Sequence, residues 1–361
     1  MNEFTQSTVY RLVESKKIEE IMIEHEVRSH DVVIEPILGS ICHADLRYFT
    51  GQRRQKDLKE KLPMALIHEG MGRVVYSPSG RFKKGEQVVI VPNVPGYLEQ
   101  DKSREDCCSI CQQDGGENYC QEGYFLGSGW DGVAQSRLVL PEACAIPIPE
   151  EVPNEIALLA ELCTVSYQAI QKVSSQLAGA KLAIFGDGPV GYLTAAMVHF
   201  MFGVPEEQLT VFGADETKLQ KFDFAKCEHV NEYDFSEKEG KVDIAFDCTG
   251  GNFSEKAINQ AINIIKPLGT IVLLGVTEKQ VPLNTRDILE KGITLVGSSR
   301  SSYVDYSPVI EKMKLVSFQK AIMKLLPEKS WIIDSPEQFC QVMEYAAEHH
   351  QWEKVVLEFH W

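Results

Sequence analysis

The sequence predicts an α/β protein in which a β-rich domain is interrupted by a doubly wound parallel-sheet domain. Three observations predict it. Residues 1–150 read as short β-branched runs punctuated by Gly, Pro and Ser. Residues 181–296 alternate apolar strands with helical periods. A glycine-rich turn, Gly186-Asp187-Gly188-Pro189-Val190-Gly191, joins the first strand and helix of that alternation.

Taken in order, the opening twenty residues are polar and acidic and lack the apolar core of an export signal. Residues 31–36, 65–76 and 86–92 are predicted strands. Pro153 and Asn154 precede a helical pattern through Ala169, with Asn154 the expected N-cap. The alternation follows. Strands are expected at 181–185, 209–212, 243–247, 270–274 and 293–296, with helices at 189–202, 217–225 and 254–265. Strand–helix–strand repeats of this kind give right-handed crossovers and a parallel sheet. A helix over 336–348 and a strand over 354–359 close the chain. The β-rich domain is therefore assigned to 1–163 and 297–361, and the parallel domain to 164–296.

A chain of 361 residues has room for about two domains. With 44% apolar and 24% charged residues it has the composition of a globular protein, not of a disordered or collagen-like one. The net charge of −16, from 52 acidic and 36 basic residues, argues against a nucleic-acid surface. The most apolar stretch, 182–204, carries Asp187, Pro189, His199 and four glycines, which is no membrane span. A cytoplasmic protein is expected. In that setting the close-set Cys107, Cys108, Cys111 and Cys120 point to metal or thiol chemistry and not to disulfides.

The glycine-rich turn has the context a dinucleotide requires, a strand before it and a helix after it. Gly186 makes the tight turn, Gly188 admits a pyrophosphate and Gly191 packs helix on strand. The helix start offers unpaired N–H groups to the phosphates. The second strand ends at Gly213 and Ala214, where NAD sites carry a carboxylate for the ribose. Its absence removes the repulsion against a 2′-phosphate and favours NADP(H). Lys218 is a candidate partner for that phosphate or an ordinary solvated lysine, and Asp215 could still serve a ribose.

Cys42, His68, Glu69 and Glu161 have zinc-compatible chemistry, although each alone is compatible with plain core packing. Arg47, Arg53, Arg54 and Lys56 form a basic run after Cys42. A planar guanidinium fork suits a phosphate, and a solvated surface explains the run as well.

The segments Ile41-Cys42-His43-Ala44-Asp45, His68-Glu69-Gly70-Met71-Gly72 and Gly186–Gly191 stand in the order of the zinc-containing medium-chain dehydrogenase/reductase family, which the chain resembles over essentially its whole length. The resemblance implies a GroES-like catalytic domain joined to a Rossmann domain. Within that family the chain is most similar to bacterial ribulose-5-phosphate reductases, on residues 42–51, 61–70, 91–95, 161–166 and 289–301. By that resemblance Cys42 and His68 are ligands of a catalytic zinc, and Glu69 binds directly or alternates with water. Glu161 is the remaining protein ligand. Cys163 is a rival two residues on, which a helix turns elsewhere. Asp45 orients His68, His43 contacts the cofactor pyrophosphate and Arg300 lies near the substrate. The cysteine cluster matches a structural zinc site, with Cys107 or Glu105 completing it. One departure stands out: Ala44 occupies the position where many alcohol dehydrogenases place a proton-relaying Ser or Thr, so the resemblance implies protonation through water, Tyr48, Glu69 or a substrate hydroxyl instead.

The implied activity is NADPH-dependent reduction of D-ribulose 5-phosphate to D-ribitol 5-phosphate. It would feed a cytidylyltransferase that makes CDP-ribitol for cell-surface polymers such as teichoic acid. The implied assembly is a homodimer or homotetramer pairing through 281–289 and 293–296. Two other readings stay open. One is a zinc dehydrogenase acting on an unphosphorylated polyol or secondary alcohol. The other is a non-catalytic dinucleotide-binding protein, which would require loss of the metal donors.

Overall fold

The computed structural model describes residues 3–236, 240–349 and 352–361. The chain divides into two compact units. One holds the chain up to Glu161 with Ser301–Lys314 and Leu325–Trp361; the other holds Leu162–Arg300 and Leu315–Lys324. The division differs from the sequence boundaries by a few residues at each junction and in one segment. The helix Val316–Ile322 belongs with the second unit, where the Tyr192 hydroxyl donates to the Ala321 carbonyl at 2.9 Å. No tail segment read in isolation announces that contact.

The second unit is built on six parallel strands, β1 (Leu182–Phe185), β2 (Leu209–Gly213), β3 (Lys226–His229), β4 (Val242–Asp247), β5 (Ile265–Leu273) and β6 (Thr294–Gly297). Their order is β3-β2-β1-β4-β5-β6, so the winding reverses between β1 and β4. Open α/β sheets bind ligands at such a reversal, beyond the carboxyl ends of the strands. Every residue of β1 is buried, as a strand covered on both faces requires. Phe185, Phe212, Ile258, Ile262 and Ile271 form the core on one side. β3 was not expected from the sequence, because Lys226, Cys227 and Glu228 are exposed on this edge strand and carry little apolar signal.

In the first unit the strand Asp31–Ser40 is central. It pairs antiparallel with Glu69–Tyr76, Leu138–Pro141 and Val356–Phe359. The registers Ser40↔Glu69 and Val356↔Ser40 bring three strand ends together at one place. A further hairpin, Glu3–Glu14 with Lys17–Val27, precedes this sheet. The expected helix over 154–169 is two helices, Asn154–Leu158 and Ala160–Gln171. Pro153, not Asn154, holds the cap position, and no side chain caps the helix. No described helix is long and apolar enough to cross a membrane.

Candidate active site and metal centres

Cys42 sits at the N-cap of the short helix His43–Phe49. Asp45, three residues on and fully buried, closes that turn by accepting the Cys42 N–H at 2.9 Å through Oδ2. Its other oxygen accepts the Ile67 N–H at 3.1 Å and lies 3.4 Å from His68 Nδ1. One carboxylate thus ties the Cys42 turn to the strand that carries His68 and Glu69. With Nδ1 directed to Asp45, Nε2 is the imidazole nitrogen left for a metal, the usual arrangement behind a ligating histidine. Ile67 has a φ of +72°, a conformation a β-branched residue rarely takes. Strain of this kind persists only where the surroundings over-determine it. Here Asp45 holds the Ile67 N–H and the Val133 N–H donates to its carbonyl at 2.7 Å.

Donor atoms of Cys42, His68 and Glu69 lie within 4.8 Å of one another. A thiol, an imidazole and a carboxylate are the donor set of catalytic zinc sites that keep a position open, so these residues can hold that metal. Glu161 stands outside this group. It is buried close by, and it interacts electrostatically with His68, Glu69, Lys354 and Asp45. Burial, together with the neighbouring carboxylates, pushes its carboxyl up to about 7. Burial also works to raise the Asp45 carboxyl, but His68 and the amides of Cys42 and Ile67 outweigh it and the net shift is downward.

One residue at this site has no motif to announce it. Lys354, buried and just ahead of the last strand, donates to the Ile41 carbonyl and to Glu69 Oε1, both at 2.9 Å. Ser40 donates to the other Glu69 oxygen. The paired strand ends place both groups there, and only the sheet register, not local sequence, brings residue 354 to residue 69.

Cys107, Cys108, Cys111 and Cys120 form a second donor group. Their sulfurs are separated by 3.8 Å (107 to 120), 3.7 Å (108 to 111) and 4.0 Å (108 to 120). A tetrahedron with metal–sulfur arms of about 2.3 Å has edges of about 3.8 Å, so the four sulfurs have the spacing of a closed zinc site. Cys107 completes the set and Glu105 does not enter it. Hydrogen bonding from the Gln121 amide brings the Cys108 thiol down to about 6, towards the thiolate a metal binds.

In the parallel-sheet unit Gly186 has φ +126° and Pro189 opens the helix Pro189–Phe200. A side chain on Gly191 would strike the Gly186 carbonyl, whereas Gly188 faces open space. Close packing at one glycine and clear approach at the other suit a bound pyrophosphate. Asp187 Oδ2 accepts the N–H groups of Ala214 at 2.7 Å and Asp215 at 2.9 Å. A Cβ on Gly213 would fall 2.7 Å from Leu219 Cδ2 and 2.8 Å from Asp187, so a side chain here would require its neighbours to move. Asp215 is engaged in capping, accepting from the Thr217 and Lys218 amides at 2.9 and 3.2 Å. Lys218 Nζ lies 3.9 Å from Asp215. His43 is exposed at the start of its helix.

The arginines divide. Arg53 lies over the Tyr48 ring, 4.6 Å from its centroid, and Arg47 is half-buried on the same helix as Tyr48. Arg54 is exposed and bound to Asp57 at 2.8 Å, as a surface pair would be. Arg300 is exposed, with φ +62°.

Asp247, at the end of β4, was not foreseen. Thr249 donates to Oδ1, but Oδ2 finds no donor among the described residues although the side chain is buried. Burial pushes its carboxyl up to about 6. Between pH 4 and 6 the unfolded chain releases this proton while the folded chain keeps it, so stability falls as pH rises and is level above that range. D247N removes the dependence. In urea unfolding it should gain about 1.4 kcal/mol relative to the parent protein between pH 5 and 7, one pKa unit's worth. An unchanged difference would show that Asp247 is ionised throughout.

The family model for the alcohol dehydrogenase GroES-like domain matches residues 28–150, and that for zinc-binding dehydrogenases matches 189–314. The chain belongs to the zinc-binding dehydrogenase family, among the relatives of the ribulose-5-phosphate reductases. Ribulose-5-phosphate reductase 1 of Staphylococcus aureus is 39% identical over 327 residues, covering 86% of this chain and 90% of the relative. The ribulose-5-phosphate reductase of Streptococcus pneumoniae is 34% identical, covering 88% of each. A crystal structure of S. aureus TarJ in complex with NADPH superposes with a TM-score of 0.81 at 32% identity, covering 99% of this chain and 100% of that one.

Proposed function

We propose that the protein reduces D-ribulose 5-phosphate to D-ribitol 5-phosphate with NADPH. The observation that carries this reading is the convergence of Cys42, His68 and Glu69 in a chain 39% identical to a ribulose-5-phosphate reductase. When bound, zinc supplies Lewis acidity towards the ketone oxygen, and the reduced nicotinamide supplies the hydride. Cys42, His68 and Glu69 hold the metal, and Glu161 is the further protein donor. Asp45 fixes the His68 ring, and Lys354 balances the charge of Glu69. Gly186, Asp187, Gly188, Pro189, Val190 and Gly191 receive the pyrophosphate, with His43 as a further contact.

The bare Gly213 and the engaged Asp215 favour the 2′-phosphate of NADP(H) over a free ribose, and Lys218 stands beside that position. The substrate phosphate is assigned to Arg300, Arg53 and Arg47; the pairing of Arg54 with Asp57 ranks it behind them. The protein is placed in the cytoplasm as a homodimer or homotetramer, supplying a cytidylyltransferase.

The test is oxidation of NADPH and NADH by the zinc-loaded protein with ribulose 5-phosphate, ribulose or a sorbitol-derived ketose. Turnover confined to the phosphorylated ketose with NADPH supports the reading. Turnover of unphosphorylated ketoses with NADH removes the phosphate and NADP assignments together.

The four cysteines are assigned a structural zinc. C111S should bind one zinc equivalent fewer than the parent protein and melt roughly 5 °C lower or more, at roughly 2–4 °C per kcal/mol for a chain of this size. Mass spectrometry and calorimetry check both. Equal zinc content in the two proteins would remove the assignment.

A further inference from the structure

Tyr48 is 2% exposed and closes a small polar ring. Lys61 Nζ donates to the Tyr48 hydroxyl oxygen at 2.9 Å and to Ser128 Oγ at 3.0 Å, and the two hydroxyls lie 3.0 Å apart. The ammonium has three N–H bonds and uses two of them in this ring. The contact between the hydroxyls takes one O–H. One O–H and one N–H are left to point out of the ring, and neither has an acceptor among the described residues. A surplus of donors around a cation is matched to an oxygen that gains negative charge.

The two segments that carry the ring's hydroxyls run on to the metal donors. Tyr48 lies on the helix that starts at Cys42, one turn beyond Ala44 and on the same face. Long side chains on a helix lean back over the preceding turn, so Tyr48 leans towards Ala44, which has no exchangeable hydrogen. On the other side, Ser128 follows Gly127, where an added Cβ would come within 3.4 Å of the Ile67 backbone. Ile67 immediately precedes His68, and the Phe125 ring lies 5.3 Å from the His68 ring. Both segments that carry the hydroxyls therefore lead to the same donor group.

We propose that Tyr48 is the proton donor to the carbonyl oxygen of the substrate, with Lys61 and Ser128 as positioning residues. The proposal rests on the site being that of a ketone reductase. As hydride adds to the carbonyl carbon, a C–H bond forms, the C–O π bond breaks and its electron pair moves to oxygen; the dihydronicotinamide is oxidised and the ketone reduced. The Tyr48 O–H bond breaks and its proton passes to that oxygen. Lys61 then gives a proton to the tyrosinate along their hydrogen bond, and water restores the ammonium.

The experiment compares the parent protein with Y48F, K61M and K61R, all zinc-loaded. It reads kcat and KM for the ketone, bound zinc by mass spectrometry and NADPH affinity by fluorescence. A positioned proton donor contributes about 10²–10⁴-fold, so Y48F should lose about 100-fold or more in kcat. Its KM should stay within about threefold, and zinc and NADPH binding should not change. K61M should lose tenfold or more in kcat, and K61R should recover part of that loss. A loss below tenfold in Y48F overturns the proposal. So does a rise in KM alone, which would make Tyr48 a substrate-holding residue, or a loss of bound zinc, which would make it structural. If Y48F is insoluble, K61M decides by the same limits. Turnover of another ketone but not of ribulose 5-phosphate overturns the proposed substrate alone, and the variants are then compared on that ketone. Turnover of no ketone overturns both.

Discussion

Replacing Cys42 with alanine should remove one zinc equivalent per chain and lower kcat/KM for ribulose 5-phosphate by roughly 10³–10⁴-fold. A metal acting as Lewis acid stabilises the developing charge by several kcal/mol, and each 1.36 kcal/mol is tenfold in rate. The fold should survive, because Cys42 is only half-buried and the turn is closed by its backbone N–H on Asp45. Steady-state kinetics beside metal analysis checks both parts. Retention of both zinc equivalents would mean that Cys42 is not a ligand, whatever the rate.

The second large effect is on stability. K354M leaves the fully buried Glu69 carboxylate with the Ser40 hydroxyl as its remaining side-chain hydrogen-bond partner among the described residues. Breaking a buried ion pair by removing one partner costs about 3–5 kcal/mol. That loss is expected in urea unfolding of chelator-treated protein. With zinc bound the loss should be smaller, because Cys42, His68 and Glu69 then surround a positive charge that takes over part of the role of Lys354. Equal losses with and without zinc would show that Glu69 does not approach the metal. Glu161 provides a further check. Lys354 is among the groups that oppose the upward push on its carboxyl, so removing Lys354 should drive Glu161 further towards the protonated form.

The parts of this protein that local chemistry specifies were legible in the sequence. Gly186 and Gly191 each answer a local steric demand, and Cys108-x-x-Cys111 places two sulfurs on one turn. The cysteine set and the group of Cys42, His68 and Glu69 emerge where their residue types pointed. Features made by sheet register were not legible. Lys354 reaches Glu69 only because Val356 pairs with Ser40 and Ser40 with Glu69. The first hairpin was missed for another reason. Ile21, Ile23, His25 and Val27 alternate with exposed Glu20, Met22, Glu24 and Glu26, but the acidic face hides the period of two behind high polarity. Glu161 shows a third limit. Its place in the sequence marks it as a candidate donor, whereas the donor group that converges is Cys42, His68 and Glu69.

The lysine that balances Glu69 lies 285 residues after it. At a synthesis rate of roughly 5–20 residues per second, the ribosome has made Cys42, His68 and Glu69 about 15 to 60 s before it makes Lys354. During that interval the three donors can be assembled by the early strands while the carboxylate among them still lacks its buried cation. The site is therefore completed only after residue 354 has been made, and until then the newly made chain's affinity for divalent ions is set by an unbalanced negative charge.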